Sequence, residues 1–271
     1  MNLERLKTAL TKAGVERPNL LHVIRPGNPA SRGASREEWV QLIEFCIERG
    51  IRLVNDAAYT TVTIVPGGHV PLCQVAKDYP ALEWMELLSV SKAFSDPGAR
   101  LGAAVGSQEF IEDLILIKGN TESGPVPSLM GAYAEIFRDD TLTRKMIEDL
   151  NLIYRKRLEY LVPSLKAIGL RQACDTTAGF FTLWRTPDRA YGVDLRAEAA
   201  EKQMPRAELF NRKVIERGGI VGVHFTGPAP AGSAEGEAYI RYAACTDVLD
   251  PRFQARFEKS IAEIKPEYMN A

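Results

Sequence analysis

The stretch LLSVSKAFSDPGARLG, residues 87–102, decides how the rest of the chain is read. It leaves an apolar run, WMELLSV at 84–90, and enters a polar loop. Two hydroxyls, Ser89 and Ser91, precede a lysine, Lys92, and a second cation, Arg100, follows eight residues later. A lone lysine after a strand is ordinarily a solvated surface charge. Hydroxyls and a guanidinium so close to it pose a different question, which the flanking sequence answers.

Upstream, helices alternate with short apolar runs. Residues 2–13 read as a helix and LLHVIR, 20–25, as a buried strand ending at Pro26-Gly27. Ser35 opens a helix with a capping box to Glu38, and Gly50 closes it. Along it Trp39, Leu42, Ile43, Cys46 and Ile47 share one face at helical spacing. IRLVN, 51–55, reads as a second strand, residues 84–90 as a third and LGAAVG, 101–106, as a fourth. FIEDLILIK, 110–118, returns to helix. Strand, helix, strand at this spacing predicts crossover connections and a mostly parallel sheet, an α/β fold.

Downstream, GNTESGPVP, 119–127, reads as a loop, and a helix covers about 128–138. A long helical pattern then runs from Thr141 towards Ile168, with Pro163 expected to kink or break it. The remainder mixes its elements differently: strands at 179–185, 220–225 and 239–245, helices at 206–217 and about 251–264, and a flexible loop at 226–237. The expected organisation is a partial large domain over 1–140, followed over 141–271 by an interdomain helix and a smaller α+β domain.

In a parallel sheet, ligands bind beyond the carboxyl ends of the strands. LLHVIR is followed by Pro26-Gly27-Asn28-Pro29, IRLVN by Asp56-Ala57-Ala58-Tyr59, and the third run by Ser91-Lys92. Singly each has a bland reading: Asn-Pro is a common turn, an aspartate after a strand often caps, and a lysine is often solvated. Together they match the needs of pyridoxal 5'-phosphate. Its aldehyde takes an amine, here Lys92, and its ring nitrogen is best held protonated by a carboxylate, here Asp56. Its phenolic oxygen takes donors, here Asn28 and Tyr59. Its phosphate takes hydroxyls and a cation, here Ser89, Ser91 and Arg100.

Composition limits the alternatives. Of 271 residues, 45% are hydrophobic and 25% charged, and the formal net charge is -1, which argues against a nucleic-acid or acidic-membrane partner. No run approaches the roughly 18–20 apolar residues of a membrane span, and MNLERLKTALTKAG lacks the apolar core of a secretion signal. Cys46, Cys73, Cys174 and Cys245 are far apart and read as free thiols of a cytoplasmic protein. His22, His69 and His224 are isolated, so no metal site is expected.

These motifs resemble, in order, those of the class I/II aminotransferases, fold-type I pyridoxal phosphate enzymes. PGNPAS is similar to the family's asparagine-proline motif, NDAAY to its Asp-x-x-Tyr, and SVSKAFSDPGARLG to its Ser-x-Ser-Lys segment with the phosphate arginine. YIRYAACTD is similar to the strand whose arginine, here Arg241, grips the substrate carboxylate, and SGPVPSLMGAY to the segment before the long interdomain helix. The resemblance implies a transaminase with Lys92 as Schiff-base lysine and general base. Asn28 and Arg241 would bind the substrates, an amino acid and a 2-oxo acid, and the assembly would be a homodimer. A lyase of the same fold, or a catalytically incomplete relative, remains open. Two departures are visible: Ala30-Ser31 follows Asn28-Pro29 where the family continues x-Gly, and Ala99 stands where a larger side chain is common. By the same resemblance residues 1–19 match the helix just before the asparagine strand. The family's phosphate-binding glycine/serine loop and ring-stacking aromatic are then expected ahead of this stretch, and no aromatic precedes Trp39.

Overall fold

Ser35 sets the start of a long helix. Its Oγ accepts the Glu38 N–H at 3.2 Å, and the Glu38 carboxylate accepts the Ser35 N–H at 3.1 Å, so the expected capping box is present. Gly50, at φ +59°, closes the helix in the left-handed region that suits glycine. Trp39, Leu42, Ile43 and Cys46 are buried along one face, with Ile47 packed partly buried beside them.

The computed structural model describes residues 3–227 and 236–269. Chain contacts divide it into two compact units, one holding Arg32–Asn151 with the chain up to Asn28, the other Leu152–Thr176 and the chain from Phe180, with a few residues exchanged at the seams. The first unit contains α1 (Leu3–Lys12), β1 (Leu20–Ile24), α2 (Arg36–Arg49), β2 (Arg52–Asp56), α3 (Leu72–Ala76), β3 (Trp84–Ser89), α4 (Val90–Ala93), β4 (Gly102–Gly106), α5 (Gln108–Thr121), α6 (Pro127–Arg138) and the start of α7 (Asp140–Ala167).

Its sheet has the order β1-β2-β3-β4. The first three strands are parallel, joined by connections that carry α2 and α3, while β4 returns antiparallel to β3. Leu53 and Trp84 of the sheet pack with Trp39, Leu42, Leu72 and Val75 in the main core of this unit. Burying such side chains contributes about 1.5–3 kcal/mol each. On α5, Ile115, Leu116 and Ile117 stay exposed.

Several features differ from the sequence pattern. β1, expected as a buried strand, is exposed at Leu20, His22 and Ile24, and β8 starts at Val223 and not at 220. The loop expected at 119–127 is shorter, because α5 runs on to Thr121. The helix α7 continues without a break through Pro163. Proline removes one N–H from a helix interior, but Leu158, Leu161 and Leu165 are buried around it and their packing carries the helix past the gap.

The second unit holds the rest of α7, then β5 (Phe181–Arg185), β6 (Arg189–Ala190), β7 (Val193–Asp194), α8 (Leu195–Glu201), α9 (Arg206–Gly218), β8 (Val223–Thr226), β9 (Ala238–Ala243) and α10 (Pro251–Ala262). Its antiparallel sheet has the order β5-β9-β8. Trp184, Leu195, Phe210 and Ile240 are fully buried. Buried Asp188 accepts from Arg196, Arg206 and the Met269 N–H, which satisfies its charge. Most of the expected 226–237 loop, residues 228–235, lies outside the described residues. Among the described residues no helix is long and apolar enough to cross a membrane.

Candidate functional site

The parallel strands end in one row. Ile24 of β1 lies opposite Asp56 of β2, and Asp56 opposite Leu87 of β3. The ladder continues one step further: the Arg25 N–H donates to the Asp56 carbonyl at 3.2 Å and the Ala57 N–H to the Leu87 carbonyl at 2.9 Å. Segments leaving this row therefore start from fixed positions. The β1 exit leads in four residues to half-buried Asn28. The β2 exit is a tight turn in which Asp56 Oδ1 accepts the Ala58 N–H at 3.1 Å, and it delivers Tyr59, which is buried. The β3 exit delivers Lys92 on α4, half-buried, with its Nζ 5.9 Å from the centre of the Tyr59 ring.

Ser89 caps α4, its Oγ accepting the Ser91 N–H at 3.2 Å, and the hydroxyl proton remains available to a further acceptor. Arg100 is placed differently. It is exposed, and its Nη1 donates to the Pro97 carbonyl at 3.1 Å within its own turn. The structure thus brings Lys92 to Tyr59 and Ser89 to Ser91 beside the Asp56 row, and keeps the Arg100 guanidinium on its own loop. Ser95 and Arg100 both sit in the left-handed region, at φ +54° and +49°. Each such non-glycine residue costs about 1–2 kcal/mol, so the turn needs outside support. Arg241 belongs to the second unit. It lies on β9 opposite Leu183 and Val223, its Cζ 4.1 Å from the centre of the Phe181 ring and 5.6 Å from that of Phe225.

Residues that the sequence pattern did not single out brace the strand ends. Glu86 is fully buried, yet its carboxylate accepts from Asn55 Nδ2 at 2.8 Å and from the Leu72 and Cys73 N–H groups at 2.9 Å each. Those amides open α3. Asn55 grips both polar groups of Arg25: Oδ1 accepts its N–H and Nδ2 donates to its carbonyl, both at 2.9 Å. This holds the exit of β1 towards Asn28. An acid inside the apolar run WMELLS was a visible signal of such a network. Burial first, then the Glu86 charge, pushes the Cys73 thiol up to about 11.

His69 is a second brace. Its Nδ1 accepts the Ala34 N–H at 3.2 Å, which puts the ring proton on Nε2, 3.1 Å from Thr60 Oγ1. The ring thereby ties the segment after Asn28 to the residue after Tyr59. Burial, with the Arg25 charge adding to it, pulls the imidazole down to about 4, so it is neutral at physiological pH. Gly33 allows the approach: a Cβ there would come within 2.1 Å of the Gly68 carbonyl oxygen and 2.6 Å of His69 Cβ.

The family model described as aminotransferase class I and II matches residues 1–251. The chain belongs to that family. An LL-diaminopimelate aminotransferase of Syntrophobacter fumaroxidans is 28% identical over 231 residues, covering 85% of this chain and 53% of its own length. One from Nitratidesulfovibrio vulgaris is 27% identical, covering 94% and 58%. The chain spans about half the length of these curated relatives. A solved structure of a Thermus thermophilus aspartate aminotransferase double mutant superposes with a TM-score of 0.71 at 21% identity, over 97% of this chain and 59% of that one. The fold is the α/β fold type I of the pyridoxal phosphate-dependent aminotransferases, as the resemblance implied.

Class I and II aminotransferases use pyridoxal 5'-phosphate, and the donor set of the first unit fits that cofactor chemically. It offers an amine at Lys92, a carboxylate at Asp56, a phenol at Tyr59 and hydroxyls at Ser89 and Ser91. The Arg100 guanidinium uses one N–H on the Pro97 carbonyl at 3.1 Å, an exposed contact, and has further N–H donors for an anion.

Proposed function

We propose that this chain carries the catalytic lysine of a pyridoxal phosphate-dependent aminotransferase that moves an amino group between an amino acid and a 2-oxo acid. The observation that carries this reading is Lys92 Nζ held 5.9 Å from the Tyr59 ring, beside the strand end that presents Asp56. The cofactor supplies an electron-poor ring that lowers the barrier to removing the substrate α-proton. Several of the remaining tasks fall to side chains of this chain. Lys92 is the amine that would hold the cofactor's aldehyde end, and its Nζ would serve as general base toward the proton on the substrate α-carbon. Asp56 keeps the ring nitrogen protonated; one of its oxygens serves Ala58, and a carboxylate has capacity for a second donor. Tyr59 and Asn28 donate to the phenolic oxygen. Ser89, Ser91 and Arg100 hold the phosphate. The planar fork of Arg241 is suited to a substrate α-carboxylate.

The relatives named above make LL-diaminopimelate the first amino donor to try, against a panel of 2-oxo acids. The family resemblance favours a homodimer. All four cysteines are free thiols, which suits a reducing compartment such as the cytoplasm. The purified full chain, given cofactor, donor and oxo acid, should form a new amino acid only when the oxo acid is present. Lys92→Ala should lower that rate by at least about 10²-fold. Release of ammonia without an oxo acid would mark a lyase instead. A folded chain that binds no cofactor would mark a catalytically incomplete relative.

A further inference from the structure

The turn that presents Arg100 runs from Ser95 to Arg100, with a single 3-10 turn at Pro97–Ala99 between its two left-handed residues. Asp96 uses its two oxygens for two purposes there. Oδ1 accepts the Ala99 N–H at 3.2 Å, closing the turn from inside. Oδ2 accepts the Tyr133 O–H at 2.9 Å, and Tyr133 lies on α6, 37 residues along the chain. The phenol is buried, and so is Ala99. Since Ala99 ends at Cβ, the Tyr133 ring packs against it and Val90, with Phe94, Leu101 and Ile136 around them. It meets the Phe94 ring edge-on at 5.6 Å. Tyr133 and Phe94 also line an apolar cavity of about 410 Å³ that reaches Ser89 and Gly102.

We propose that Tyr133 and Asp96 form a positioning clasp that fastens the Arg100 turn to α6 and thereby sets how tightly this chain grips a phosphomonoester group. The clasp rests on the reading of the cofactor site given above and deepens it: these residues touch the turn, and Arg100 would touch the phosphate. Burial, reinforced by Asp96 accepting its proton, pushes the Tyr133 phenol up to about 12, so it remains a donor at any working pH. Asp96 is thus held at both ends, by a turn amide on one side and a packed helix on the other, and the strained backbone of Ser95 and Arg100 is kept in register with α6.

Tyr133→Phe removes one oxygen and leaves the ring packing and the cavity in place. Asp96→Asn keeps both contacts, because an amide oxygen accepts the Ala99 N–H and an amide nitrogen donates to the phenol oxygen. Hydrogen exchange of the Ala99 amide in the cofactor-free full chain should rise about tenfold in Tyr133→Phe, the weight of one hydrogen bond to a charged acceptor. In Asp96→Asn it should stay near the parent value. Dissociation constants should then be measured for pyridoxal 5'-phosphate and for unphosphorylated pyridoxal. Tyr133→Phe should weaken the first about tenfold and leave the second unchanged, and in an Arg100→Ala background it should have no further effect. Equal weakening of both compounds, or unchanged exchange at Ala99, would overturn the clasp. A parent chain that binds neither compound would instead sink the cofactor reading, and the exchange rates would still decide whether Tyr133 and Asp96 hold the turn.

Discussion

Replacing His69 with glutamine tests whether a neutral imidazole braces the strand ends. In the folded chain this ring titrates at about 4, against an ordinary value of 6.5. Its Nδ1 must stay unprotonated to accept the Ala34 N–H, and only 8% of the residue is exposed. Below pH 6.5 the unfolded chain therefore binds a proton that the folded chain refuses, so stability falls as pH drops from about 6.5 to about 4 and levels off below. At about 1.4 kcal/mol per pH unit between the two values, this one residue accounts for about 3 kcal/mol of acid sensitivity. Glutamine does not titrate, and its amide can replace both contacts, accepting from Ala34 and donating to Thr60. Urea denaturation of parent and His69→Gln chains should be run at half-unit steps from pH 7.5 to 4. The two should differ by no more than about 1 kcal/mol at pH 7.5. The parent should then lose about 3 kcal/mol more than the variant on reaching pH 4. Parallel pH profiles would refute the assignment of a buried neutral ring.

Three further outcomes follow from particular contacts. Glu86→Ala takes the acceptor from three N–H donors, two of them buried, and should destabilise the chain by about 3 kcal/mol or more in the same assay, whereas Glu86→Gln keeps an acceptor and should lose less. Pro163→Ala returns an N–H to the interior of α7 and should raise the calorimetric midpoint, with a gain of about 1–3 kcal/mol. Arg241→Lys keeps the charge but loses the planar fork. It should raise the amino-donor KM about tenfold with a smaller change in kcat, read from steady-state kinetics.

Local signals were legible in the sequence. Ser35, Glu38 and Gly50 lie within one helix and its caps, and they bound α2 as their types require. The apolar runs of β1, β2 and β3 and their polar exits were equally readable, because a strand and the loop after it are adjacent in the chain. Elements held from a distance were not. The five-residue helix α3 takes its first hydrogen-bond acceptor from Glu86, 14 residues on, and α8 follows a two-residue-strand hairpin braced by Asp188. In the candidate site, Lys92, Ser89 and Asp56 stood out by their place at or just past strand ends. His69 and Tyr133 did not, since their partners lie 35 and 37 residues away and a lone histidine or tyrosine carries no local mark. The exposed setting of Arg100 was also illegible, as was the left-handed backbone at this residue, which is not glycine.

The amine of Lys92 is the group on which the proposed chemistry turns. The full chain should be incubated with pyridoxal 5'-phosphate, reduced with borohydride, digested and mapped by mass spectrometry. A phosphopyridoxyl label is expected on the peptide containing Lys92, absent from a folded Lys92→Ala variant. A folded parent chain that takes no label, or takes it on other lysines and leaves Lys92 unmodified, would contradict the proposed chemistry.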